Sequence, residues 1–203
     1  YSAGFGATDA WFLTPIFDAE SGKPLAVLDG AWMNPLKTGA AGAVGLDALA
    51  REDATELAVI GSGTQARGQL RAAAAVREFE AVRVYSPTRD HRETFAADFD
   101  DRLAAAVTPV ETSADAVTGA DAVITATRAS DPVIDAADLA PGTHVTAMGR
   151  YHPDKRELDA DTIARATYVP DLRARAVQDG GSFLAALDAG RIEEDHVHAE
   201  LGE

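Results

Sequence analysis

Apolar and polar positions change rhythm along this chain, and each change marks an element. From Trp11 to Phe17 and from Leu25 to Leu28 the apolar residues follow no helical period. They flank the turn-rich link Asp18-Ala-Glu-Ser-Gly22-Lys23-Pro24, which predicts a β-hairpin with Gly22 in the connection and Pro24 just before the return strand. Asn34-Pro35 supplies a cap and a first-turn proline for a helix running to about Arg51. Leu57, Val59 and Ile60 then form a short apolar run suited to a strand buried on both faces.

Strand and helix alternate from there. A helix from Thr64 to about Phe79 leads to a second strand at Val82–Tyr85, and a helix from Arg89 to Leu103 leads to a short third strand at Thr108–Val110. A short helix near Ser113–Val117 precedes a fourth strand at Asp121–Ala126, and His144–Met148 is the fifth. A helix over Asp161–Arg165, a sixth strand at Ala166–Val169 and a helix over Gln178–Ala189, ended by Gly190, complete the pattern. Alternating βα units imply a parallel sheet with helices on both faces and right-handed crossovers. The expected fold is therefore α/β, a Rossmann-type doubly wound sheet following a small β-rich segment. A hairpin alone is marginal in water, so the first segment needs something to pack on.

The junction of the first buried strand with its helix carries the most chemistry. In Ile60-Gly61-Ser-Gly63-Thr64-Gln65-Ala66, Gly61 permits a tight turn, Gly63 lets a pyrophosphate approach the backbone, and Ala66 lets the helix pack on the sheet. The helix would aim free N–H groups and a positive dipole end at the phosphates. The glycine pattern alone also fits an ordinary turn; the strand before it, the helix after it and the spacing of the next strand point to a dinucleotide. That next strand ends Tyr85-Ser86-Pro87-Thr88-Arg89, with Asp90 the first acid. An acid at this place would take a ribose 2′-hydroxyl, whereas Ser86, Thr88 and Arg89 suit a 2′-phosphate, so NADP is favoured over NAD. Thr127 and Gly149 fall at carboxyl strand ends, where ligands bind in such sheets.

Composition narrows the class. The chain has 203 residues, 46% hydrophobic content and a net charge of −15, enough to bury a core and the wrong sign for a nucleic-acid footprint. It has no membrane-length apolar run and no signal peptide, which makes cytoplasm the default expectation. Lysine occurs only at Lys23, Lys37 and Lys155, and so acidic a surface suits a high-salt, halophilic setting or reflects a compositional bias. With no Cys there is no disulfide or thiolate chemistry. His196 and His198 could share a metal, but two ligands two positions apart do not make a site, so none is assigned. His144 reads as structural, and His152 as a candidate acid or base.

Several landmarks occur together and in order: Leu36-Lys37-Thr38-Gly-Ala-Ala41, Ile60 to Ala66, Asp121 to Thr127 with Pro132-Val133, Met148-Gly149, and Arg156-Glu157-Leu158. With Ser21-Gly22, Pro24-Leu25 and the closing Glu200-Leu201-Gly202, they resemble the ornithine cyclodeaminase/mu-crystallin family over essentially the whole chain. The resemblance implies a Rossmann domain paired with a dimerising substrate domain, NAD or NADP as cofactor, and a small-molecule amino or imino acid or cyclic imine as substrate. It divides the chain into part of a substrate/dimerisation segment (residues 1–50), an NAD(P)-binding domain (51–175) and the start of the return to the first domain (176–203). Thr64 and Gln65 would contact the pyrophosphate, Ser86 would stand where the ribose is read, and Thr38, Thr127, Met148 and Gly149 would line the cofactor. Lys37 stands where the family has an arginine that holds the substrate carboxylate. It keeps the charge and loses the bidentate fork, and a cation in the first helical turn opposes the dipole and wants another reason to be there.

The chain departs from the family at one catalytic position. The cyclodeaminases carry an aspartate two residues after the glycine of the fifth strand, and here that residue is Tyr151. A phenol with an ordinary pKa near 10 is a poor base at neutral pH, which argues against ornithine deamination; the resemblance implies an imino acid reductase or amino acid dehydrogenase, with a cyclodeaminase and a non-catalytic NADPH-binding protein as the alternatives. The first residue is Tyr1 rather than Met, and the family's other substrate-binding residues would lie outside the 203 residues. The chain is thus expected to be a middle portion, inactive alone.

Overall fold

The computed structural model describes residues 12–149 and 152–203. Trp11, at the start of the expected hairpin, and Tyr151 lie outside them. The hairpin pairs β1 (Leu13–Phe17) with β2 (Pro24–Asp29) antiparallel. Gly22 turns the link at φ 68°, and the Asp18 carboxylate, its pKa lowered by the Ser21 hydroxyl and amide, fastens the same turn.

A five-stranded parallel sheet forms the centre, in the order β5-β4-β3-β6-β7. Its strands are β3 (Glu56–Ile60), β4 (Ala81–Tyr85), β5 (Ala106–Pro109), β6 (Ala122–Thr125) and β7 (His144–Ala147). The chain moves outward from β3 to β5, then returns to the far side of β3 with β6. The β3/β6 boundary is therefore the switch point where such sheets open a crevice at their carboxyl ends.

Alternation along each strand splits the core in two. Leu57 and Val59 of β3, with Val82, Val84 and Ile124, pack against Leu70 of α2 (Thr64–Val76) and Phe95 and Phe99 of α3 (Arg89–Asp100). On the other face Ala58, Ile60 and Val123 meet α4 (Ser113–Val117), α5 (Ala160–Arg165) and α7 (Gly181–Asp188). Burying each large apolar side chain contributes about 1.5–3 kcal/mol. Phe183, Ala186, Ile192 and Val197, from the stretch expected to begin the return to the first domain, pack on this second face.

α1 (Met33–Leu49) crosses α2 at very short range. A Cβ on Gly39 would stand 2.4 Å from the Gly68 carbonyl oxygen, and one on Gly68 would stand 2.4 Å from that of Pro35. Only glycine at both places lets the two backbones meet. Asn34, expected to cap α1, instead lies inside it, because the Asn34 amide bonds the Gly30 carbonyl and starts the helix earlier. Lys37 therefore falls beyond the first turn, and its conflict with the helix dipole is correspondingly weaker.

Other boundaries also move. α2 ends at Val76 rather than Phe79, since Arg77 turns extended to bond the carbonyls of Arg51 and Glu52 while Phe79 enters the core. The expected sixth strand at Ala166–Val169 does not form; only Tyr168 makes a parallel bridge, to Val197, with its ring stacked on Phe183. The last expected helix, Gln178–Ala189, forms as α7, and a helix that the sequence did not mark, α6 (Arg173–Asp179), precedes it across Gly180. A Cβ on Gly181 would lie 2.0 Å from the Lys155 carbonyl oxygen, so a straight helix with side chains could not pass this loop.

Candidate functional site

The carboxyl ends of β3, β4, β6 and β7 bring the sequence-predicted residues to one rim of the sheet. Gly61 leaves β3 at φ 115°, and a Cβ there would stand 2.3 Å from the Ala126 carbonyl oxygen at the end of β6. This glycine is demanded by both the backbone angle and the neighbouring strand. Gly63 differs: its backbone is extended, it is exposed, and beyond its chain neighbours no atom of the described residues lies within 4 Å of the place its Cβ would take. It caps α2 without any side-chain hydrogen bond, leaving the first-turn amides uncapped. Thr64 is exposed beside it, while Ala66 is fully buried against the sheet. The Gln65 side-chain amide donates to the Asn34 side-chain oxygen Oδ1 at 2.6 Å, and its own Oε1 is buried with no partner among the described residues. Bare backbone, uncapped amides and a helix dipole together fit a diphosphate group.

The second rim segment is built from beneath. The Ser62 hydroxyl donates to that of Ser86 at 3.0 Å, and Ser86 donates on to the Thr88 carbonyl. Arg92 is buried, donating to the Ser86 carbonyl at 3.1 Å and to Glu111 at 2.7 Å. Ser86, expected where the ribose is read, is a buried support of the turn with its hydroxyl already engaged. Thr88 and Arg89 are exposed; Thr88 makes no capping bond, and Arg89 pairs with Glu93 at 2.7 Å, which raises its pKa. Sequence patterns did not single out Arg92, whose partners become neighbours only when β4, α3 and the segment after β5 assemble.

The third segment joins β6 to β7. Thr125, Thr127 and Gly149 all donate to Glu157, a carboxylate with no exposed surface. Met148 Sδ accepts from the buried Gln69 amide, which also donates to the Thr38 carbonyl at 3.0 Å and so ties α1, α2 and β7 together. Thr38, Gln69, Met148 and Gly149 line a cleft of about 1050 Å³. Lys37 is exposed on α1 and does not line this cleft.

The histidines divide among other tasks. The His144 ring is half-buried within hydrogen-bond distance of the Thr146 hydroxyl, and burial, with Arg77 adding, lowers its pKa to about 4. The His196 ring nitrogen meets the Ile163 carbonyl at 2.8 Å, and His152 is exposed. Among the described residues no three His, Asp or Glu side chains group as a metal site. No helix of the described residues is long and apolar enough to cross a membrane.

Known proteins share this arrangement. A Δ1-pyrroline-2-carboxylate reductase of Bacillus cereus is 33% identical over 187 residues, 92% of this chain and 57% of its own. A Thermococcus litoralis Δ1-pyrroline-2-carboxylate reductase, solved with NADH and L-proline, superposes with a TM-score of 0.91 at 34% identity, covering 93% of this chain and 58% of that one. An archaeal alanine dehydrogenase dimer with bound NAD gives 0.90 at 32% identity, over 98% and 61% of the two chains. This chain thus spans little more than half the length of such relatives. The family model for the ornithine cyclodeaminase/mu-crystallin family matches residues 6–203, and the chain belongs to that family.

Proposed function

We propose that this protein is an NAD(P)-dependent oxidoreductase acting on α-imino or α-amino acids or cyclic imines. The observation that carries the reading is the open cradle at Gly63, where a side chain would meet nothing and the first amides of α2 lack a cap. Gly63, Thr64 and Gln65 would hold the pyrophosphate, on the turn that Gly61 permits and at the start of the helix that Ala66 packs against the sheet. Thr88 and Arg89 would face the adenosine ribose over the turn that Ser86 supports. Thr38, Thr127, Met148 and Gly149 would border the nicotinamide end, and Lys37 would hold the substrate carboxylate. When bound, the dinucleotide supplies a hydride donor or acceptor. The chain's own part is to orient both partners and to exclude water from the crevice.

NADP is the cofactor favoured here. Its support is a turn with no carboxylate between β4 and Asp90, carrying the uncapped Thr88 hydroxyl and the exposed Arg89 cation instead. We also propose a homodimer. The exposed apolar residues Leu13, Phe17, Leu25 and Val27 of the hairpin, together with Trp32 and Leu36, support it.

The test is consumption of reduced cofactor by the whole protein with Δ1-pyrroline-2-carboxylate. Stoichiometric loss of reduced-nicotinamide absorbance is the expected result. Ammonia release from ornithine without net cofactor turnover would instead identify a cyclodeaminase and overturn the reductase reading.

A further inference from the structure

Glu157 is fully buried, yet carries a carboxylate where an apolar side chain would pack at lower cost. Four hydrogen bonds converge on it. Oε1 accepts from the Thr127 amide at 2.5 Å and the Thr127 hydroxyl at 2.7 Å; Oε2 accepts from the Thr125 hydroxyl at 3.0 Å and the Gly149 amide at 2.9 Å. Every one of these partners donates to a carboxylate oxygen. The donors sit at the carboxyl ends of two neighbouring strands, β6 and β7, on the side of the switch point away from the Ser86 turn.

We infer that Glu157 is a positioning residue that sets the nicotinamide end of the proposed dinucleotide site through Thr127 and Gly149. The inference rests on the dinucleotide reading above. The Thr127 hydroxyl spends its single hydrogen on Glu157 and accepts from the Ala129 amide at 3.2 Å. Towards a ligand it therefore offers acceptor capacity alone, the complement of a carboxamide N–H₂. The Gly149 amide is turned inward to Glu157, while its Cα side, at φ 64°, has nothing within 4 Å among the described residues. The resulting surface is a fixed acceptor oxygen beside bare backbone. The adenine half of the cradle, at Gly63 and the Ser86 turn, draws on none of these four bonds.

That separation defines the experiment. Glu157→Gln keeps the shape but points an N–H₂ at groups that themselves donate, so the four bonds cannot all be kept. Dissociation constants of the whole protein would be measured for NADH, NADPH, ADP-ribose and 2′-phospho-ADP-ribose. Loss of these bonds should weaken both dinucleotides about tenfold or more, and the two ribosyl fragments less than about twofold. Parallel weakening of dinucleotides and fragments would reduce Glu157 to a fold-stabilising residue and overturn the inference. Unchanged dinucleotide binding would overturn it as well. If Glu157→Gln does not fold, Thr127→Val, which leaves the carboxylate and the Thr127 amide in place, should show the same split, and its absence overturns the inference equally. A parent protein that binds neither dinucleotides nor fragments would instead refute the dinucleotide reading itself.

Discussion

The two glycines of the cradle have opposite reasons to be glycine, and alanine at each should separate folding from binding. At Gly61 an alanine must adopt φ 115°, which costs about 1–3 kcal/mol. Its Cβ would also stand 2.3 Å from the Ala126 carbonyl oxygen, and a main-chain atom of a central strand cannot swing aside as a side chain would. Such overpacking adds about 1–3 kcal/mol. Gly61→Ala should therefore destabilise the protein by roughly 2–6 kcal/mol in total. At Gly63 the backbone is already extended and the Cβ position empty. Gly63→Ala should leave stability unchanged or raise it by about 0.4–1 kcal/mol through the unfolded state. The same methyl stands where a diphosphate must approach the α2 amides, and losing one or two charge-assisted bonds of about 1.5–3 kcal/mol would weaken dinucleotide binding at least about tenfold. Urea unfolding followed by tryptophan fluorescence reads the first effect, and NADPH titration reads the second. A Gly63→Ala protein that unfolds as easily as Gly61→Ala, or binds NADPH like the parent, would refute this division of roles.

Three further outcomes follow from the geometry. Arg89→Ala should weaken NADPH binding about tenfold while sparing NADH, with stability nearly unchanged because its i,i+4 pair with Glu93 is exposed and screened by solvent; equal loss for both cofactors in fluorescence titrations would sink the NADP assignment. His144 ordinarily titrates at 6.5 and here at about 4, so as pH falls through that window the unfolded chain takes up the proton first. Stability present above the upper value should be lost by up to roughly 3 kcal/mol, and His144→Gln should flatten that part of a pH–stability profile. Gly39→Ala should cost about 1–3 kcal/mol, because its Cβ would meet the Gly68 carbonyl oxygen at 2.4 Å. Gly45→Ala in the same helix, with Leu201 at an ordinary 3.5 Å, should instead gain up to about 1 kcal/mol; thermal melts of the pair provide the comparison.

The sequence by itself determined what depends on neighbours along the chain. Period and punctuation marked the hairpin, α1, the five sheet strands and the helices between them, since side-chain alternation and glycine or proline chemistry are local properties. The GxGxxA turn was legible for the same reason: its three small residues serve a strand, a turn and a helix that are consecutive. The fate of Ala166–Val169 was not legible. Its β-favouring residues matched a strand, but a strand needs an aligned partner, and the fold gave this one only a bridge at Val197. The break at Gly180 likewise came from a distant constraint, the Lys155 loop pressing on Gly181.

Tertiary structure alone decided how the rim is supported. In sequence Ser86 is one hydroxyl of a turn suited to a 2′-phosphate, and assembly of β3 against β4 buried it beneath that turn against Ser62. Arg92 and Gln69 look like ordinary helical polar residues until their helices dock. Glu157 sits in the landmark Arg156-Glu157-Leu158, but its donors lie from 8 to 32 positions away. No local pattern can show that an acid is buried, because burial and hydrogen-bond satisfaction are made by whichever strands the fold sets side by side.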